Sequence, residues 1–133
     1  MLLRPEGREL QGDGPDASLW KLLRAEMFIA EHLSDTNLSA LSAARSVDIS
    51  VRHLNRLFAA RQTTATQWIW NQRLARAAED LASPRARSVP IGEVAFRWAF
   101  ANQAHFARCF KVRHGLTPTQ YRRQALTATH DDT

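Results

Sequence analysis

Arg52, Asn55 and Arg56 lie within seven residues of HLNRLF, His53 to Phe58, and the same hexapeptide returns 52 residues later as HFARCF, His105 to Phe110. Histidine, arginine and the final phenylalanine hold their places, and Arg61 returns as Arg113. Read as a helix, the first copy puts Leu54, Leu57 and Phe58 on one face and projects Arg52, Asn55, Arg56 and Ala59 from another. The second buries Phe106, Cys109 and Phe110 and leaves Gln103, Ala104, Ala107, Arg108 and Lys111 outward. These are groups that recognise rather than break bonds. Guanidinium forks match guanine edges, amides match adenine edges, and small neighbours let a helix backbone sit deep in a major groove. Either face alone could be a solvated helix surface; recurrence at a fixed spacing favours recognition. Only two copies fit, so the pattern reads as an internally duplicated helical module and not as a solenoid.

Each basic helix needs an element to position it. Upstream of the first lies LSALSAARSVDIS, in which Leu41, Ala44 and Val47 keep helical spacing and Ser39 can cap the start. Upstream of the second lies PIGEVAFRWAFAN, where Pro90 suits a first helical turn and Ile91, Val94, Ala95 and Trp98 form the stripe. A short helix, a tight turn and a basic helix make a helix-turn-helix, and the chain carries the pattern twice. The fold class expected is all-α, about seven helices forming two helix-turn-helix subdomains joined by a linker helix.

In these residues the chain closely resembles the DNA-binding domain of the AraC/XylS-type bacterial transcription regulators. The second half carries Ala95, Phe100, Asn102, Gln103, His105, Phe106, Arg108, Phe110, Lys111, Gly115, Thr117, Pro118, Tyr121 and Arg122 of that signature. The first half matches more weakly but in order, through Leu38, Ser39, Ala44, Ile49, Ser50, His53, Leu54, Arg56, Leu57, Phe58, Arg73, Leu74 and Ala77. The resemblance covers about residues 22–123. It implies a sequence-specific transcription regulator, an activator, with double-stranded DNA and RNA polymerase as partners and no cofactor. By position in the motif it implies base contacts from Arg52, Asn55 and Arg56 in the first helix and from Gln103, His105 and Arg108 in the second, with Lys111 alongside. Ser50 and Thr117, near helix starts, are placed to hold phosphates. Family members usually add an effector-binding or dimerising domain, for which this chain has no room.

Composition sets the remaining bounds. With 133 residues, 44% of them apolar, the chain can bury one sizeable core and is cramped for two. Its single cysteine, Cys109, excludes an intrachain disulfide framework and a four-cysteine metal site. Residues 18–128 hold 16 basic and 7 acidic groups, a surplus carried almost wholly by arginine, which favours phosphate and base-edge contacts. Those charges recur on separate short helices, unlike a polybasic membrane segment. No apolar run approaches a membrane span and MLLRPEGREL lacks a signal-peptide core, so a soluble, cytoplasmic protein is expected. The domain boundaries expected are a linker or disordered tail over 1–15, the DNA-binding domain over 16–125 and a tail over 126–133. Within the domain, the first helix-turn-helix covers about 39–62, the linker helix about 66–81 and the second helix-turn-helix about 90–114. A packing helix over 16–33 has the stripe Leu19, Leu23, Met27, Ala30 and Leu33, with Leu22, Ala25 and Ile29 beside it. The linker helix, at ~1.5 Å per residue, is a stiff spacer of roughly 24 Å.

Other groups carry less. His105 and Cys109 are i, i+4 on one helix, but no third or fourth metal ligand is evident. Trp20, Trp68, Trp70 and Trp98 read as core or interface; Arg73, Arg76, Arg122 and Arg123 are balanced between phosphate contact and solubility. No phosphate-cradling loop, HExxH pair or nucleophile elbow points to an enzyme. Against the family pattern, Asp48 and Ala99 replace glycine in the two turns, and Thr63 replaces the glycine after the first recognition helix. Ala101, Ala104 and Ala107 thin the second recognition face. These departures motivate the alternative, a helical interaction module that has lost specific DNA binding.

Overall fold

The computed structural model describes residues 15–131, with side chains for 17–128; residues 1–14, where the N-terminal linker is expected, and 132–133 lie outside the described residues. The described residues form seven α-helices: α1 (Pro15–Glu31), α2 (Ala40–Ser46), α3 (Val51–Phe58), α4 (Ala65–Ala82), α5 (Ile91–Arg97), α6 (Gln103–His114) and α7 (Pro118–Asp131). Short 3-10 turns lie at Ala59–Arg61 and Pro84–Ala86, and no strand occurs among the described residues. The all-α expectation holds. α7 continues through Asp131, past residue 126 where the tail is expected to begin. The expectation of one core does not hold, because the chain divides into two compact units. The first comprises the described residues up to His32 together with Leu38–Trp68; the second comprises Leu33–Asn37 and everything from Ile69 onward.

In the first unit α1 packs on both α2 and α3. Its interior is Leu22, Ala25 and Ile29 of α1, Ala43 and Ala44 of α2, Leu54 and Phe58 of α3, and Ala65. The sequence stripe is therefore rotated: Leu19, Leu23 and Met27 are exposed, and their neighbours Leu22, Ala25 and Ile29 face inward. Both sets have helical spacing, so periodicity could not choose between them. On the inward face Ala25 is fully buried, and its small side chain lets helices approach closely. The same reason puts Ala43 inward on α2 and leaves Leu41 exposed. Ser39 caps α2 in a reciprocal box: the Ser42 N–H donates to Ser39 Oγ at 3.1 Å and the Ser39 N–H to Ser42 Oγ at 2.9 Å. Arg61 pairs with Glu26 of α1 and lies over the Trp68 ring, 5.8 Å from its centroid.

The second unit is built on Leu74, Ala77, Ala78 and Leu81 of α4, Val94 and Ala95 of α5, Phe100, and Phe106 and Phe110 of α6. Asp80 ties α5 to α4, accepting from Arg97 Nη1 at 3.0 Å and from the Trp98 indole at 2.8 Å. Arg73, expected to touch phosphate or solvent, is instead 2% exposed. Its Nε donates to the Leu33 carbonyl at 2.9 Å, its Nη2 to the Asp35 carbonyl at 2.8 Å, and its guanidinium lies 4.5 Å from the Trp70 ring centroid. Burial pulls its pKa down and the Asp35 carboxylate partly restores it; an arginine stays charged through such a shift. Arg122 repeats the device. Its Nη1 donates to the Arg87 carbonyl at 3.2 Å and its Nη2 to the Val89 carbonyl at 2.7 Å. Each fork holds two carbonyls, two residues apart, in the segment leading into a helix-turn-helix.

Both turns keep the geometry that glycine would provide. Asp48 has φ 58° and Ala99 φ 71°, in the left-handed region. The Asp48 N–H donates to the Arg45 carbonyl at 3.2 Å and the Ile49 N–H to Ala44 at 3.1 Å; the Ala99 N–H donates to Phe96 at 3.1 Å and the Phe100 N–H to Ala95 at 3.0 Å. Asp48 tolerates this conformation better than Ala99, because a short polar side chain bonds locally. A left-handed alanine costs about 1–2 kcal/mol, more than the ~0.4–1 kcal/mol that alanine recovers by restricting the unfolded chain. Ala99→Gly is therefore expected to stabilise the protein by up to about 1 kcal/mol, read as a higher urea midpoint at unchanged slope.

Candidate nucleic-acid interface

α3 begins at Ser50, whose Oγ accepts from the His53 N–H at 3.0 Å. The apolar face Leu54 and Phe58 is buried, with Leu57 half-buried, and Arg52 and Arg56 are exposed on the opposite side as expected. Asn55 is different. Its amide oxygen accepts the Ala65 N–H at 2.9 Å, satisfying one of the orphan donors at the start of α4. A bidentate pair with adenine needs that oxygen, so Asn55 is committed first to holding α4 on α3.

α6 begins at Asn102, whose Oδ1 accepts from the His105 N–H at 2.8 Å. Phe106 and Phe110 are buried, while Gln103, Ala104, His105, Arg108 and Lys111 are exposed. The His105 ring lies beside Phe100 and Trp70, with centroids 6.0 and 6.5 Å away, and its Nε2 is 3.4 Å from Cys109 Sγ. Its imidazole thus lines the edge of the exposed face. Among the described residues no group of three or more His, Cys, Asp or Glu could hold a metal ion. Thr117 is half-buried and its hydroxyl accepts from the Gln120 N–H at 3.1 Å, while its own N–H donates to Gln120 Oε1 at 3.0 Å. Ser50 and Thr117 are thus helix caps; a phosphate role would use the hydroxyl hydrogen of each.

The two copies end differently. α6 runs unbroken to the left-handed Gly115, φ 82°, whose N–H donates to the Lys111 carbonyl at 2.8 Å. α3 stops at Phe58 and tightens into the 3-10 turn, closing at Gln62, φ 58°, whose N–H donates to Ala59 at 2.9 Å. Gln62, and not Thr63, therefore stands where the glycine would be. The first copy is one residue shorter here, and the tighter turn absorbs the difference. Beyond it the copies coincide again: Phe58 packs on Trp68 at 5.5 Å as Phe110 packs on Tyr121 at 5.2 Å.

Behind α6, His114 sits between Phe110 and Tyr121, with ring centroids 4.4 and 5.6 Å away, and its Nε2 is buried without a partner. Burial, then the adjacent Arg113, push its pKa below the ordinary histidine value, against a hydrogen bond with the Leu74 backbone. The half-buried ring packs with the aromatic residues behind α6. Asn55, Arg73, Arg122 and His114 have structural roles that spacing could not reveal, since each depends on a partner distant in sequence.

Residues 43–124 match a family described as a helix-turn-helix domain. Over 103 residues the chain is 28% identical to the transcriptional activator NphR of Rhodococcus sp, covering 77% of this chain and 30% of that protein. It is 31% identical over 105 residues to the arabinose operon regulatory protein of Escherichia coli (strain K12), covering 77% and 34%. The chain spans about a third of the length of these curated relatives. Among solved structures, a transcriptional regulator of the AraC-type DNA-binding domain-containing proteins from Chromobacterium violaceum superposes with a TM-score of 0.75 at 26% identity, over 83% of this chain and 96% of that one. The C-terminal domain of AraT, a response regulator from Geobacillus stearothermophilus, gives 0.69 at 30% identity, over 78% and 84%.

Two outcomes follow from this geometry. Asn55→Ala is expected to cost about 1 kcal/mol of stability, as loss of a helix cap does, with little change in base preference; Arg56→Ala is expected to cost about 1–3 kcal/mol of DNA binding with little change in stability. Thermal denaturation and DNA titration of both variants separate the two roles. For His114, the unfolded chain takes up a proton at a higher pH than the folded one. Its contribution is therefore complete above the unfolded value, ~6.5, and declines as pH falls through the window below it. Stability measured against pH should slope upward there, and His114→Phe should flatten the slope.

Proposed function

The chain belongs to the AraC-type helix-turn-helix family, and from that premise we propose that it is a sequence-specific transcription regulator, an activator, reading two adjacent major-groove half-sites in double-stranded DNA. The observation that carries this reading is the preserved geometry of both motifs. Each turn is left-handed although neither contains glycine, each recognition helix is capped at its start, and each exposes an arginine at the same register, Arg56 and Arg108. Arg52, Arg56, Gln103 and Arg108 read bases; His105 and Lys111 line the second face; Ser50 and Thr117 approach phosphates at helix starts. The alternative of an interaction module without specific DNA binding drew on Asp48, Ala99 and Thr63 and on Ala101, Ala104 and Ala107. The first two adopt the glycine geometry and Thr63 is not at the glycine position, which leaves that alternative the thinned second face alone.

The reading extends to further partners. Two proteins named as activators or operon regulators are about three times longer than the matched region, which leaves room in such proteins for an effector-binding or dimerising domain; RNA polymerase is the target that activation of transcription requires. Such a regulator works in the cytoplasm, where bacterial DNA lies. No helix among the described residues is long and apolar enough to cross a membrane.

The duplication supports a site of two similar half-sites in direct orientation, about one turn of B-DNA apart, ~34 Å. Inserting half a turn between them is expected to lower affinity about a hundredfold, the scale of losing one set of base contacts, and a whole turn is expected not to restore it if the spacing of the helices is fixed. Affinity unchanged across the insertion series, measured by titration, would mean that only one motif engages DNA.

A further inference from the structure

Gly92 is the second residue of α5, a position where glycine lowers helix stability relative to alanine. Its backbone does not require glycine, since among the described glycines only Gly115 has positive φ. A Cβ built on Gly92 would instead stand 3.0 Å from Oε1 of Gln103 and 3.9 Å from its Cδ. No other heavy atom outside its own helix backbone and chain neighbours comes within 4 Å of that Cβ. The carboxamide of Gln103 therefore lies against the open side of Gly92, at a distance where a methyl group would be in tighter than ordinary contact. Gln103 is the first residue of α6, exposed, and its amide is the one group on the second recognition helix able to pair bidentately with adenine. In the first motif the corresponding helix positions hold Leu41 and Val51, an apolar pair with no amide to aim.

We propose that Gly92 is a positioning residue for base readout: it gives the Gln103 carboxamide a seat against the first turn of α5 and so sets the direction from which that amide meets the DNA. Gln103 has three side-chain rotors, and an amide that must meet two atoms of one base edge loses discrimination when its approach changes. A methyl group at Gly92 narrows the seat. The tight contact is with the far end of a flexible side chain and not with backbone, so the fold accepts the change and the carboxamide shifts by a few tenths of an ångström or more. The inference rests on the proposed DNA-reading function and adds a residue that touches no DNA to the set that determines specificity.

The test compares wild type, Gly92→Ala, Gln103→Ala and the double variant, as full chains. Each is titrated against the duplex preferred by wild type and against single base-pair substitutions of it, and proximity of the Gln103 side-chain amide protons to the Gly92 α-protons is measured by NMR without DNA. The expected result is that proximity in wild type, an unchanged or higher denaturation midpoint in Gly92→Ala, and a loss of preference of roughly fivefold to a hundredfold at one base pair. In the Gln103→Ala background the glycine substitution should change no preference. Absence of the proximity in wild type, the same effect in both backgrounds, or a uniform loss at every base pair would overturn the proposal. A wild type that reads sequence but ignores the substitution sinks the positioning role alone, whereas a wild type that binds all duplexes alike sinks the DNA reading and this role with it.

Discussion

The buried Arg73 fork, closed on two backbone carbonyls, is the constraint that fixes the chain entering the first motif. Arg73 is enclosed almost completely, and a guanidinium out of water is tolerable only when its donors are satisfied. The carbonyls of Leu33 and Asp35 satisfy two of them and the Trp70 face covers the plane. Because the fork is planar and rigid, a carbonyl displaced from its place loses the bond outright. The segment before α2 is thereby held on α4. From α7 the half-buried Arg122 bonds two carbonyls of the segment before α5, with its Nε left unpartnered. A short helix such as α2 or α5, at seven residues, has too few internal bonds to hold itself, so its direction comes from the helices packed on it and from the segment leading into it.

The copies share this clamp, the left-handed turn, the capped recognition helix and the aromatic pair behind it. They differ where the groove would be. The first presents two arginines, with its asparagine engaged to Ala65; the second presents glutamine, histidine, arginine and lysine among alanines. A structural frame common to both and a distinct set of exposed side chains on each are what two related but unequal half-sites require. The thinning by alanine, which weakens the number of contacts, also lets the backbone of α6 lie closer to its target.

The motifs were legible in the sequence because their geometry is local. The repeat locates both recognition helices, capping propensity locates Ser39, and the family pattern locates both turns even with Asp48 and Ala99 in place of glycine. The inward face of α1 was misread because two stripes have the same period, and burial chose the one bearing Ala25. Thr63 falls at the glycine position when the copies are aligned at a fixed spacing, which cannot register a helix end shortened by one residue into a 3-10 turn; that turn moves the position to Gln62. The forks of Arg73 and Arg122 and the Asn55 bond leave no periodic trace at all. Their partners lie 10 to 40 residues away, and only the folded backbone brings those carbonyls and N–H groups into reach. One core was expected on grounds of size, yet small helices packed through alanine close two interiors within the same length.

The central claim, that two intact motifs read sequence together, is tested most directly by selecting bound duplexes from a pool of random DNA. The structure predicts enrichment of a single motif containing two similar segments in the same orientation about one helical turn, ~10.5 base pairs, apart. Recovery of duplexes with no common sequence, or with one segment only, would contradict it.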